Sequence, residues 1–433
     1  MKSLEPKLLQ SEFSDILSQV ENDHEHYFIT GRAGSGKSTL LSLLKNTTHR
    51  KTVVLAPTGI AALNVKGQTI HSFFKFPPKM IQPSEIRKLK SYRLYKNIET
   101  IIIDEISMVR ADMMDNIDIF LRKNREINLP FGGVKMIFFG DLFQLPPVIA
   151  SNFEREYLRS VYASPYFFSS KVLERSESMH MIELNHVFRQ TEVFFVKLLD
   201  RIRLNEIDME DLHTMNERYI PNFDTLDMYV HLCSTNASAK AINQKKLQAL
   251  DERSEIFEAK VTGKFKANVA PTEVNLLIKK HAQVMFVKND PLKRFVNGTI
   301  GKILHIEDPI IKVTIEDNGK ESVIEVERME WEIINYVVDP ENPSRFKTQI
   351  VGMFTQFPIK LAWAMTIHKS QGKTFEKVIV DLGRGAFDYG QTYVALSRCK
   401  TLGGIVLKQK LKPKDIMIDQ TIVDYYDTKS RYW

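Results

Sequence analysis

The sequence predicts an α/β protein of two parallel-sheet units, each interrupted by an insertion. Three observations carry that prediction. In the first half, the apolar runs Tyr27–Thr30, Thr52–Ala56, Thr100–Ile103 and Met136–Phe139 each end in small or polar residues and give way to a helix-like stretch. They are apolar throughout, as parallel strands covered by helices on both faces must be. Runs of the same texture return at Met228–Cys233, Lys377–Leu382 and Gly404–Leu407, in a second unit that begins near residue 187. Between them, residues 250–350 read as all-β. Lys312–Glu316 faces Val323–Glu327 across Asp317-Asn318-Gly319, and Asn297-Gly298 gives a further turn.

The bulk numbers set bounds. A chain of 433 residues has room for two domains plus insertions. With 43% hydrophobic and 26% charged residues it reads as a soluble globular protein. A net charge of +7 permits a polyanionic partner without requiring one. The two cysteines, Cys233 and Cys399, support neither a disulfide framework nor a zinc site and suggest a reducing compartment. With no membrane-length apolar run and no leader-like start, the expectation is an intracellular, cytoplasmic protein. The compact chain favours a bacterial or phage origin.

Taken in order, the first run leads into Gly31-Arg-Ala-Gly34-Ser35-Gly36-Lys37-Ser38-Thr39, a phosphate-binding loop. Its glycines let the backbone curl so that successive N–H groups point at phosphate oxygens. Lys37 reaches the β- and γ-phosphates, the Ser38 hydroxyl coordinates Mg2+, and the following helix turns its positive end to the same place. The second run leads into Pro57-Thr58-Gly59. An insertion over 72–97 breaks the rhythm with Pro77, Pro78 and Pro83 and mixes basic residues with Phe76, Tyr92 and Tyr95. The third run ends at Asp104-Glu105, where one acid holds the metal through water and the other polarises an attacking water. Asp104 is assigned to the metal and Glu105 to the base. The fourth run leads into Gly140-Asp141-Leu-Phe-Gln144, whose amide is placed to contact the γ-phosphate or the water. All four clusters lie at carboxyl ends of strands, where such sheets bind ligands.

Taken together, these segments resemble the helicases of superfamily one. The resemblance rests on Gly31–Thr39, Ala56–Asn64, Thr69–Phe73, Asp104–Met108, Gly140–Pro147, Thr366–Gly372 and Tyr393–Arg398. Pro130-Phe-Gly-Gly133, Phe188-Arg-Gln190 and Ala362–His368 resemble more narrowly the PIF-type 5′-to-3′ branch. The match runs from about residue 28 to 407.

The resemblance implies two RecA-like motor domains, 1–185 and 186–433, with ATP and Mg2+ between them. It implies a strand-splitting wedge in 72–97 and an SH3-like barrel in 250–350. Arg189 and Arg398 become the fingers that stabilise transition-state charge, a choice that spacing alone does not make. Gly372 joins the nucleotide site, and the adenine-contacting glutamine is Gln10 or Gln19. The implied partners are single-stranded DNA and duplex junctions, contacted by Pro57, Thr58, His71, Thr235, Asn236, His368, Lys369, Ser370 and Gln371. Phe73 either stacks on bases or belongs to the core. The motor is expected to work as a monomer.

Two rivals remain. A guanine-nucleotide switch needs an Asn-Lys-x-Asp motif, which the sequence lacks. A translocase that remodels bound proteins without separating strands shares every motif above. His24-Glu-His26 lacks a third ligand at usable spacing, and Glu258-Ala-Lys260 lacks the acids of a nuclease.

Overall fold

Six parallel strands form the first sheet, in the order Gln68–Thr69, Thr52–Ala56, Thr100–Ile103, Lys135–Phe139, His26–Gly31, Met179–Leu184. The structure is a computed structural model and describes residues 5–430, apart from 78, 91, 176–178, 224–227, 266–269, 318–319, 340 and 342–345. The three central strands Thr100–Ile103, Lys135–Phe139 and His26–Gly31 are buried along their whole length, which explains their unbroken apolar character. Among the described residues Met179–Leu184 pairs only with His26–Gly31, and its middle four residues are half-buried. Its weak apolar signal, Met-His-Met-Ile-Glu-Leu, reflects that edge position.

A second parallel sheet has the order Ala364–Thr366, Val230–Cys233, Val378–Asp381, Ile405–Leu407. Between its first strand in sequence, Val230–Cys233, and the remaining three lies the all-β insertion. Five antiparallel strands of it form one sheet, including the expected hairpin, in which Thr314 pairs with Val323 and Lys312 with Glu325. The insertion extends past the expected end at 350, because strands Phe346–Gln356 and Ile359–Leu361 belong to its sheets.

Contacts cross between the units at several places, two of them away from the phosphate loop. The strand Met329–Val338 reaches the first sheet: the Val54 amide donates to Tyr336 Oη at 3.1 Å, and Gln68 Nε2 donates to Asn335 Oδ1 at 2.6 Å. The helix Gln420–Ser430, grouped by sequence with the second unit, packs on the first instead. Tyr425 stacks on Phe168 with ring centroids 4.1 Å apart, and Tyr426 Oη shares a 2.6 Å hydrogen bond with Thr30 Oγ1. Burying these two rings draws the chain end back across the junction.

The 72–97 segment is mostly irregular, with a 3-10 turn at Pro83–Glu85 and a short helix at Arg93–Asn97. Phe76 and Tyr95 are buried against Phe120, which removes both from any exposed wedge. Tyr92 remains half-exposed between Lys88 and Lys96, whose ammonium groups lie 4.6 and 4.9 Å from its ring centroid. Beneath this segment runs the helix Ala111–Arg125, followed by Pro130-Phe-Gly-Gly133. Asp118 accepts the Phe131 amide at 2.7 Å, and Arg125 Nε donates to the Gly132 carbonyl at 2.7 Å. A side chain on Gly132 (φ +60°) would meet the Leu121 carbonyl at 2.9 Å, so the turn requires glycine.

Candidate nucleotide site and nucleic-acid track

The phosphate loop joins His26–Gly31 to the helix Lys37–Thr47 with Gly31, Gly34 and Gly36 at φ +143°, +85° and +90°. Gly34 is fixed for a second reason: a Cβ there would lie 2.5 Å from Cβ of Arg189. Lys37 Nζ donates to the Gly31 and Arg32 carbonyls at 2.6 and 2.9 Å. Burial draws its pKa down to about 8, against the pull of Asp141 and Glu105. The Ser35 hydroxyl is buried with no hydrogen-bond partner among the described residues, while Ser38 and Thr39 are exposed at the helix start.

The strand Thr100–Ile103 delivers Asp104 and Glu105 beside the loop. Burial, then the neighbouring Glu105, pushes the Asp104 carboxyl up to about 7. Glu105 is also raised by burial, with Lys37 and Arg398 opposing. Its backbone sits at φ +50°, ψ +46°, a left-handed conformation that costs a non-glycine residue about 1–3 kcal/mol. Such strain persists where the surroundings over-determine a side chain's position.

Asp141 and Arg203 make the buried pair that holds Gln144. Arg203 Nη2 lies 3.1 Å from Asp141 Oδ1, and Gln144 Nε2 donates to Asp141 Oδ2 at 3.1 Å. Burial opposes the charge on Arg203, but the Asp141 carboxylate overrides it and holds the guanidinium above its usual range. Neither residue is assigned a role by the motifs above; a carboxylate just after a buried strand, three residues before Gln144, is the signal that marks Asp141. Arg203 lies on an ordinary-looking helix, Val193–Leu204, and gave none.

From the second unit, the helix Gln391–Leu396 meets the same place. Tyr393 Oη accepts the Ala33 amide of the phosphate loop at 3.0 Å. Gly390 passes so close to the Phe143 and Gln144 carbonyls that a Cβ would lie 2.4 Å from each. Arg398 is fully buried, with Nε donating to the Val394 carbonyl and Nη2 to Ser397 Oγ, both at 2.9 Å, while Nη1 has no partner among the described residues. Arg189 Nη1 donates to the Ser397 carbonyl at 3.1 Å; burial, with Arg398 adding, lowers its pKa to about 9. Gln190 Nε2 donates to the Ser397 and Cys399 carbonyls, both at 3.0 Å, which fixes the two arginine segments to each other. Lys37, Glu105, Asp141, Arg189 and Arg398 thus influence one another around a single loop. Gly372, expected with this group, lies exposed at φ +72°, and among the described residues nothing comes within 4 Å of a Cβ built on it. Gln10 falls on the helix Glu5–Asn22, and its side chain lies outside the described residues; Gln19 is exposed.

The nucleic-acid candidates occupy the ends of short helices. Thr58 caps Gly59–Asn64 through the Ala61 amide at 3.2 Å, next to half-buried Pro57. His71 is half-buried and its pKa is lowered by burial, then by Arg110. Thr235 caps Asn236–Gln248 through the Ser238 amide at 3.2 Å, and Thr235 and Asn236 are exposed. His368 is half-buried, Lys369 exposed, and Gln371 Nε2 is buried without a partner among the described residues. Two expectations need correction. Phe73 is 2% exposed and packs edge-on against Phe74, Tyr95 and Tyr336, so its faces belong to the core. Ser370 is fully buried and donates to the Ile367 carbonyl at 2.6 Å, which leaves its hydroxyl inward.

The family model of PIF1-like helicases matches residues 9–213. The ATP-dependent DNA helicase Pif1 of Bdellovibrio bacteriovorus is 32% identical over 430 residues, covering 96% of this chain and 90% of that protein. Against relatives named ATP-dependent DNA helicase PIF1 from two fungi and human, the chain spans 62–65% of their length. The crystal structure of Bacteroides sp. Pif1 in complex with ADP-AlF4 superposes with a TM-score of 0.90, at 37% identity over 97% of both chains. A crystal structure of Bacteroides Pif1 bound to ssDNA, again at 37% identity over 97% of both chains, gives 0.69.

Proposed function

The chain belongs to the PIF1-like family of ATP-dependent DNA helicases, and on that premise we propose a motor that moves 5′ to 3′ along single-stranded DNA and parts the duplex ahead. The observation that carries this reading is the convergence of Arg189 and Arg398, both beyond residue 185, on the phosphate loop and Glu105. Residues 1–185 and the second parallel sheet act as two RecA-like domains that close on ATP and reopen after hydrolysis.

The chain's groups fit a magnesium-bound triphosphate. The loop carries three positive-φ glycines and the Ser35 hydroxyl, and faces Nη1 of Arg398; neither Ser35 Oγ nor that nitrogen has a partner among the described residues. Ser38 and Asp104 would hold the ion, which neutralises phosphate charge when bound. Lys37 would exchange its loop carbonyls for phosphate oxygens. Glu105 takes the proton of the attacking water, and Gln144, held by Asp141, orients that water. Arg189 and Arg398 stabilise the charge that develops in the transition state, an effect worth about 10³–10⁵ in rate for such arginines. Hydrolysis swings the balance between open and closed arrangements, and unequal grip by the two units turns closure into steps.

The DNA partner is supported by the Bacteroides protein bound to ssDNA, and by Thr58, His71, Thr235, Asn236, His368, Lys369 and Gln371 at or near helix ends in both units. Backbone phosphates take the donors without sequence readout. The test is ATP hydrolysis with and without single-stranded DNA and single-stranded RNA. Stimulation by DNA supports the reading, and hydrolysis indifferent to either polymer contradicts it.

A further inference from the structure

Three lysines converge where the all-β insertion meets the second sheet. Lys360 lies on the insertion's last strand, Ile359–Leu361, Lys369 in the helix Ile367–Ser370, and Lys373 just beyond it. They grade from surface to interior, Lys369 exposed, Lys360 half-buried and Lys373 8% exposed. Lys360 has no hydrogen-bond or ion-pair partner among the described residues, and the one carboxylate that acts on it is Glu273. Burial and then Lys369 draw Lys360 down to about 8; burial and then Lys360 draw Lys373 down to about 7.

A loop of the insertion fixes the innermost lysine. Lys373 Nζ donates to Asn297 Oδ1 at 2.7 Å, and Asn297 Nδ2 donates to Asn64 Oδ1 at 3.4 Å. Asn64 ends the helix that Thr58 caps, so one asparagine of the insertion spans from the first unit to the second. Next to it, Gly298 adopts φ +106°, which only glycine adopts without strain, and a Cβ there would lie 3.6 Å from that of Lys373.

Like charges gathered without a matching acid are unfavourable by themselves and favourable around an anion. We propose that Lys360 and Lys373, with Asn297 as the positioning residue, seat a phosphate of the single-stranded DNA backbone and join the Thr58 end of the track to His368–Gln371. This rests on the DNA-motor reading above. The insertion then contributes to the grip and is not merely attached beside it. Gln371, whose side-chain nitrogen is buried without a partner among the described residues, lies two positions before Lys373 in the chain.

The test is fluorescence anisotropy of a labelled oligothymidylate with the full chain over a range of salt. Each lost phosphate contact lowers the slope of log affinity against log salt by about 0.7 for single strands. Lys373→Gln, which keeps a donor toward Asn297 but loses the charge, should show that drop, and Lys373→Arg should keep the original slope. Lys360→Gln should show the same drop and serves if Lys373→Gln fails to fold. Unchanged slopes in both glutamine variants, with binding retained, would overturn the proposal. A wild-type protein that does not bind oligothymidylate would instead overturn the reading beneath it.

Discussion

Tyr393 Oη accepts a hydrogen bond from the Ala33 amide at 3.0 Å, so a side chain of the second unit satisfies the backbone of the phosphate loop in the first. The pair lies where the loop, Gly390 and the Gln144 segment crowd together, and it couples nucleotide site and domain contact in one bond. Tyr393→Phe removes the acceptor and leaves a buried amide unpaired, at a cost of about 1–3 kcal/mol. DNA-stimulated hydrolysis should fall about tenfold for each 1.4 kcal/mol lost from the closed arrangement. Steady-state ATPase against ATP concentration checks this, and an unaltered profile would show that the bond does not couple the units.

Glu105 is held in a left-handed conformation beside Lys37 and Arg398, a strain without structural benefit unless its carboxylate must be aimed. Glu105→Gln keeps the shape and removes the base. Turnover should drop by about 10²–10⁴ while single-stranded DNA binding persists. Hydrolysis at the wild-type rate would remove Glu105 from the proposed chemistry.

Arg398 is fully buried and spends two of its donors on its own segment, leaving Nη1 for a ligand. Arg398→Lys cannot reproduce the planar fork. The rate constant for hydrolysis should fall by about 10³ or more. Single-turnover measurements separate that loss from weaker ATP binding; a change in binding alone would make Arg398 a binding group only.

Phe73 offers a direct contrast between core and DNA contact. Its ring sits among Phe74, Tyr95 and Tyr336, so Phe73→Ala should destabilise the protein by about 3–5 kcal/mol. Thermal unfolding should move well down in temperature. A variant with wild-type stability and weak DNA binding would restore the stacking role that its burial argues against.

His26 gives the stability a pH dependence. It is 7% exposed, its Nδ1 accepts the Met136 amide at 3.1 Å, and Phe131 packs on it edge-on. Burial depresses its pKa from 6.5 to about 4. The unfolded chain therefore binds the proton first, and stability is lost as pH falls from about 6.5 toward 4. That loss reaches up to about 3 kcal/mol, and His231, also depressed to about 4, acts in the same direction. Melting curves at pH 7 and pH 5 should show the decline, and His26→Gln should be less stable at pH 7 but flatter across that range. Parallel declines in both proteins would locate the effect elsewhere.

Much of the fold was legible because buried parallel strands leave unbroken apolar runs ending in distinctive polar clusters. All four runs of the first unit are strands of one sheet, and the two arms of the expected hairpin do pair, although Asn318 and Gly319 of its turn lie outside the described residues. What stayed hidden was information carried by distance in space. The edge strand Met179–Leu184 is too half-buried to show a run, and the docking of Tyr425 and Tyr426 on the first unit has no local sign. The Asp141–Arg203 pair joins residues 62 positions apart, and each looks ordinary in its own segment. Phe73 shows the converse: an aromatic beside a nucleic-acid motif can either stack on bases or belong to the core, and the packing of its neighbours places it in the core.

The central claim, a motor with defined polarity, is tested most directly by strand displacement on two partial duplexes, one with a 5′ single-stranded tail and one with a 3′ tail, with and without ATP. The account predicts ATP-dependent unwinding from the 5′ tail alone. Unwinding from the 3′ tail would contradict the polarity, and failure on both with DNA-stimulated hydrolysis intact would make the chain a translocase that does not separate strands.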